Sequence, residues 1–486
     1  MPRKATRPAR KSAPASPAPA PAVRIRMYRP GLGDCWLLTF HNEGVERHVL
    51  IDCGVLVGTP NQKQQLTDIA QHIRKTTSDE LAVLVATHEH WDHVAGFHFA
   101  RDEFQHLKPE QVWVAWTEDP EQTIATEKKK QNAMMARAIG MAAEHLGASA
   151  SSYDRECGAG IARITDFDGM LGAAKFSKQS DSAMQFVVDK RKPADPYLRP
   201  GQVLEQPDWL PGGVRVYVLA PPMDRGALRQ DRTRVEEGFK TEKKGEDGAA
   251  FAWMSAVMGA SSESMHEDLA IRLRPFDPAL AWPQDDFQAR SKWDVMKRYE
   301  EEPWRRIDQD WLHSAASLAL QLDNSINNTS LVLAFELVAS RQVLLFVGDS
   351  ELESWKSWQS MEFQRDDGTR VTAEDLLSRT VFYKVGHHGS GNATLRAALA
   401  KMTSPALVAA VPTDTDFAKN KQGWQMPAEK LEPELHARAR GRVIYADPGK
   451  ACLRKGKPDG VSQSDWDAFV ARVEEKDALY VDYCLG

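Results

Sequence analysis

Short apolar strands alternating with helical stretches predict an α/β protein built around mixed sheets. Three features carry that expectation. VRIRMYRP (23–30), CWLLTF (35–40) and HVLID (48–52) follow one another at hairpin distances. LAVLVATH (81–88) is a continuous apolar run, as a strand buried on both faces requires. Helical patterns at 62–75 and roughly 119–147 alternate with this strand and with VWVAW (112–116). VRVYVLAPP (214–222), SLVLAFEL (330–337), QVLLFVGD (342–349) and TVFYKVGHH (380–388) resume the strand series. ALVAAVPT (406–413) and RVIYAD (442–447) complete it.

Two stretches break the rhythm. Residues 150–212 are weakly patterned, and about 223–320 form a charged insertion bearing Trp253, Trp282, Trp293, Trp304 and Trp311. Such charge ordinarily covers solvated helix faces, while an insertion beside an active site can also act as a substrate lid or a surface for a protein partner. Residues 1–22 hold five basic and no acidic residues, followed by Ala, Pro and Ser. Prolines interrupt every candidate export core, so a disordered basic tail is expected, followed by one domain over 23–486 that the insertion interrupts.

At 486 residues the chain is long enough for two to three domains of roughly 100–200 residues. A composition 42% hydrophobic and 27% charged excludes a wholly disordered, collagen-like or multi-span membrane protein. The net charge of −6 offers no global basic excess for nucleic acid, so any such site needs local positive charge. Five scattered cysteines form no disulfide framework and point to a reducing compartment. No apolar stretch reaches the 18 residues of a membrane span, and a cytoplasmic location is expected.

The most informative segment is THEHWDHVAG (87–96), directly after the buried strand. Crevices open at the carboxyl ends of such strands. His88 and His90 are two apart and can project to one side of an extended loop. Asp92 and His93 follow as the chain turns into a helix. Three imidazoles and a carboxylate within six residues suit a transition metal, with the carboxylate adding affinity for Mn²⁺. FVGDS (346–350) puts Asp349 after another strand, and KVGHHGS (384–390) does the same for His387 and His388. A lone strand-ending Asp is as readily a turn former, but in this order the three segments support one another.

These residues resemble the metallo-β-lactamase superfamily. His88, His90, Asp92 and His93 match its HxHxDH motif, Gly96 matches a following glycine, and IDCG (51–54) is similar to its Asp-containing strand end. PGLGDCWLLTF (30–40), NNTSLVLAFEL (327–337), LLFVGDSE (344–351) and VFYKVGHHGS (381–390) resemble the branch of the competence protein ComEC and its soluble relatives. The resemblance covers roughly 23–222 and 324–450. It implies an αββα four-layer sandwich with a large, mostly helical insertion, and a dinuclear centre of two divalent ions, Zn²⁺ first and Mn²⁺ second. By that resemblance His88 and His90 hold one metal, Asp92, His93 and His387 or His388 the other, and Asp349 bridges. His387 is favoured because it comes first after the strand, and spacing leaves His388 open. Two departures stand out besides Leu32, which replaces the branch's usual Gln. SINNTS (325–330) lacks the further metal histidine of many hydrolytic members, as the ComEC-like branch also does, and Met426-Pro427 replaces a His-Pro pair.

A pair of cations can lower the pKa of a shared water and clamp both oxygens of an in-line displacement. A metal-dependent hydrolase is therefore expected, acting as a phosphodiesterase or nuclease on DNA or RNA. Asp92, Lys384 and His388 are the expected catalytic groups, with Lys384 or the non-ligating histidine contacting phosphate or protonating the leaving oxygen. A solvated strand-edge position is the plain alternative for Lys384. Ser390 and Asn392 either bond a phosphate or build the Gly389–Gly391 turn. Lys128, Lys129, Lys130, Arg305, Arg306 and the tail are the local basic supply. Hydrolysis of a small phosphoester or lactone-like metabolite, and a metal-containing binding subunit without turnover, are the alternatives.

Overall fold

A computed structural model describes residues 22–42, 44–148, 152–165, 177–191, 196–205, 213–224, 227–228, 237–238, 315–476 and 478–486. The basic tail up to residue 21 and nearly all of the Trp-bearing insertion lie outside them, as do Arg305 and Arg306. In chain order the strands are β1 (Val23–Tyr28), β2 (Cys35–Asn42), β3 (Val45–Cys53), β4 (Glu80–Val85), β5 (Lys108–Ala115) and β6 (Tyr197–Leu198). Then come β7 (Val203–Leu204), β8 (Val214–Ala220), β9 (Val332–Leu337), β10 (Gln342–Phe346), β11 (Glu362–Gln364) and β12 (Arg370–Thr372). β13 (Thr380–Lys384), β14 (Val408–Val411), β15 (Val443–Tyr445), β16 (Val473–Lys476) and β17 (Tyr480–Leu485) finish the series.

Two large sheets result, ordered β16-β17-β1-β2-β3-β4-β5-β6 and β15-β14-β13-β10-β9-β8-β7. Both are mixed. The hairpin-spaced β1, β2 and β3 pair antiparallel, while β3, β4 and β5 run parallel. In the second sheet β10, β13, β14 and β15 are parallel and β8, β9 and β10 antiparallel.

One buried cluster draws on both sheets, joining Trp36, Phe40 and Val49 to Phe335, Phe346 and Phe382. Trp36 meets the Phe346 ring edge-on at 5.7 Å, a favoured aromatic geometry. A second cluster sets Trp355, Trp358 and Leu376 against the second sheet, and a third sets helix α1 (Gln62–Thr77) and helix α2 (Trp91–Phe99) against the first. Helix α1 does so because Leu66, Ile69, Ala70 and Ile73 recur at helical spacing and are all buried. Burying each large apolar side chain contributes about 1.5–3 kcal/mol.

The C-terminal strands were not expected. β17 lies along β1, Val23 opposite Leu485 and Tyr28 opposite Tyr480, and the buried Arg26 grips Asp482 through two bonds of 2.7 Å. The weakly patterned stretch contains the helices Ser152–Thr165 and Ser177–Asp189 as well as β6 and β7. Among the described residues no helix is long and apolar enough to cross a membrane.

Candidate metal centre

The site gathers where β3, β4, β10, β13 and β14 end, so carboxyl ends from both sheets converge on it. Asp34, Asp52, His88, His90, Asp92, His93, Asp349, Lys384, His387 and His388 are all at least nine-tenths buried. Close approach of backbones brings them together. A β-carbon on Gly54 would collide with the backbone of Asp92 and His93, and one on Gly96 would stand 2.5 Å from Cys53 Sγ. Asp52, His387 and His388 adopt positive φ of 57°, 44° and 52°, a sparsely populated region for such residues.

Donor atoms of Asp92, His93, Asp349 and His388 lie within 4.8 Å of one another. Three of them, His93, His388 and Asp349, are braced from behind. His93 Nδ1 lies 2.8 Å from Asp52 Oδ2, and Asp52 in turn accepts from the Thr87 amide and hydroxyl at 2.7 Å. His388 Nδ1 donates to the Pro412 carbonyl at 2.6 Å. Asp349 Oδ1 accepts from the His387 amide at 3.0 Å and from Lys384 Nζ at 3.1 Å. With both Nδ1 protons turned outward, each Nε2 points inward, as a metal-binding imidazole requires.

Those inward nitrogens face oxygens: His388 Nε2 is 2.7 Å from Asp92 Oδ2, and His93 Nε2 is 3.1 Å from Asp349 Oδ2. Two lone pairs cannot approach so closely without positive charge between them. In the absence of a cation, protons supply it. Burial opposes the charged form of His93, but Asp349, Asp92 and Asp52 outweigh it and raise its pKa well above the ordinary value. The same contest leaves His388 raised, and His93 and Lys384 overcome burial to hold Asp349 well below the carboxylate range. Asp92 Oδ1 is buried with no hydrogen-bond partner among the described residues. Two inward imidazoles, two carboxylates and an unsatisfied oxygen fit a divalent cation.

The His88–His90 side differs. His88 Nε2 is 3.0 Å from His90 Nδ1, and His88 Nδ1 meets Thr87 Oγ1 at 3.1 Å and Ser330 Oγ at 3.3 Å. Burial, helped by His93 and His90, holds His88 neutral, well below its ordinary pKa. These two imidazoles converge, but no third donor completes a cluster with them among the described residues. Ser330, in the segment without a histidine, braces His88 and also accepts from the Asp349 amide at 3.1 Å.

The histidine doublet resolves into two environments. His388, not His387, joins the four close donors. Burial pushes His387 down to about 3, and its backbone amide is what meets Asp349.

Lys384 is not solvated. It is 1% exposed and donates to Gly348 O at 2.7 Å, to Asp349 Oδ1 and to Asp34 Oδ2, which occupies its three N–H groups. Burial disfavours its charge, but Asp34 and Asp349 outweigh it and hold the pKa above the ordinary lysine value. Ser390 and Asn392 bond one another, so the turn-building alternative describes their contact.

The three lysines of the run stand in different environments. Lys128 is buried and donates to Leu228 O and Ser325 Oγ, Lys129 pairs with Glu118 at 2.5 Å and Glu89 at 3.7 Å, and Lys130 is exposed. Burial, reinforced by Glu118 and Asp181 against Lys129, pushes Glu89 up to about 7.

Sequence reasoning assigned no role to Asp34 or Asp52, although both stand in quoted segments. The signal was a buried-type Asp ahead of a strand or at its end. Leu32 and Met426, both noted above as replacements, prove to be neighbours and pack in one apolar cluster with Leu56 and Ala418.

Residues 28–127 match the family model described as the metallo-beta-lactamase superfamily. The matched segment carries Asp34, Asp52 and the His88–His93 motif and stops short of Asp349, Lys384 and His388. No curated protein matches the chain.

Proposed function

We propose that the protein is a metal-dependent hydrolase of phosphodiesters, and that its two sheets form a helix–sheet–sheet–helix sandwich with the centre at one edge. The observation that carries this reading is the buried convergence of Asp92, His93, Asp349 and His388, the last three each oriented by its own partner. Two nitrogens and two carboxylates suit Zn²⁺ first and Mn²⁺ second. A divalent cation there supplies Lewis acidity and a water that is nucleophilic near neutral pH. Asp52 and the Pro412 carbonyl aim the imidazoles, while Lys384 neutralises and fixes Asp34 and Asp349 as a positioning residue. His88 and His90 offer a second, poorer position. The resemblance to the ComEC-like branch supports DNA or RNA as substrate.

A small phosphoester is the second reading. The burial of Lys128 and the pairing of Lys129 favour it, because neither can track a nucleic-acid backbone. The test is hydrolysis of bis-p-nitrophenyl phosphate, linear DNA and linear RNA by metal-stripped protein with Zn²⁺ or Mn²⁺ restored. Metal-dependent cleavage of a polymer, lost in Asp349→Ala, supports the nuclease. Cleavage of the small ester alone supports the second reading, and bound metal without any cleavage defeats both in favour of a binding subunit.

A further inference from the structure

The metal centre leaves unused a cleft that opens beside it. The cavity, about 300 Å³, is lined by Glu89 and His90 and by residues of the helices Thr123–Gly147, Ser177–Asp189 and Ala315–Asn327. Ligand pockets run from roughly 300 to 1,000 Å³, so this one has room for a single ring system and not for a length of polymer. Because His90 Nδ1 is 3.0 Å from His88 Nε2, an occupant of the cleft abuts the centre directly.

The walls set three chemical demands. Ala136, Leu322 and Ile326 offer buried apolar contact, with the small alanine side chain leaving space for a flat group. The Asp181 carboxyl group calls for an N–H donor from the occupant. Ser180 is 5% exposed, and its Oγ has no hydrogen-bond partner among the described residues, a costly state for a buried hydroxyl. Lys129, which pairs with Glu118 at 2.5 Å and with Glu89 at 3.7 Å, and Lys130 also line the cleft, so the acidic edge is that of Asp181.

We propose that this cleft binds a nucleobase carrying an exocyclic amino group, the base of the nucleotide whose phosphate lies at the metal centre. The proposal rests on the phosphodiester reading. Such a base presents apolar faces to Ala136, Leu322 and Ile326 and an N–H edge to the Asp181 carboxyl group, while Ser180 meets a ring nitrogen. A base with a keto oxygen at that edge sets oxygen against carboxylate and is rejected. One cleft of this size holds one base, so the substrate is a short nucleotide or the end of a strand.

The test is calorimetric titration of the full chain with adenosine and with uridine, neither bearing phosphate. Adenosine binds at least about tenfold more tightly than uridine, the discrimination expected from a hydrogen bond to a charged group. Asp181→Asn, an exposed position, narrows that ratio, and Ala136→Phe fills the cleft and abolishes adenosine binding. If Ala136→Phe does not fold, Asp181→Asn decides alone. Equal affinity for the two nucleosides, no binding of either, or an unchanged ratio in Asp181→Asn overturns the proposal. Hydrolysis of bis-p-nitrophenyl phosphate is measured in parallel. Hydrolysis without nucleoside preference sinks the cleft alone, whereas preference without hydrolysis keeps the cleft and sinks the phosphodiester reading.

Discussion

The two halves of the centre differ more than their shared motif implies. Asp92, His93, Asp349 and His388 supply four donors, two of them anionic, and all but Asp92 are braced by a partner outside the cluster. His88 and His90 supply two neutral imidazoles braced by Thr87 and Ser330. Charge and donor number both favour the first half, and Lys384 fixes one oxygen of Asp349 so that Oδ2 alone turns to the donor cluster. The sequence, with no further histidine in SINNTS (325–330), already leaves the His88–His90 side with fewer ligands, and the fold adds no third donor there among the described residues.

The largest effect expected is for Asp349→Ala. It removes a donor from the strong half and the partner of Lys384, and bound Zn²⁺ and hydrolysis fall by at least ~100-fold, beyond the 10–100-fold typical of losing an outer partner. Metal analysis after dialysis checks it, and retention of tight metal would break the comparison. Next is Lys384→Met, which leaves Asp34 and Asp349 buried beside one another without their cation. Urea unfolding of the metal-free protein is expected to show a loss of about 3–5 kcal/mol, the usual result of breaking a buried ion pair.

The pH dependence of the metal-free protein is a further check. His93 and His388 have pKa values raised above the ordinary 6.5, so their contribution is complete below that pH and is lost as pH rises through the raised values. Asp349 is depressed below 3.8, so its contribution is present above that pH and is lost as pH falls through the depressed value. The joint contribution of these three groups is thus greatest between about 4 and 6.5 and declines on the alkaline side, while the buried neutral His88 and His387 lower stability as pH falls below 6.5. Restored metal should remove the alkaline decline. A metal-free melting profile that rises from pH 6 to pH 9 would contradict this charge assignment. The smallest effect belongs to His88→Ala, which changes the affinity of the strong half by less than about tenfold, since it lies outside the four donors.

Part of this was legible in the chain. The cluster His88–His93 and the strand-ending Asp349 stand out because several donors are crowded after apolar runs. Asp34 and Asp52 did not, because their roles arise from β2–β3 pairing and from the close approach that Gly54 permits. His387 against His388 could not be decided by spacing, since two successive positive-φ residues set which ring turns inward. Lys384 reads as a strand-edge lysine until two buried acids appear beside it. In the run Lys128–Lys130, successive side chains turn by about 100° around the helix, so one enters the interior, one meets acids and one reaches solvent. β17 was missed because its partner β1 lies at the other end of the chain.

The most direct test sets His387→Ala beside His388→Ala in metal-stripped protein, with Zn²⁺ restored and both bound metal and bis-p-nitrophenyl phosphate hydrolysis measured. The account predicts that His388→Ala loses the tightly held cation and turnover together, while His387→Ala keeps the cation. Loss of the cation in His387→Ala with retention in His388→Ala would contradict it.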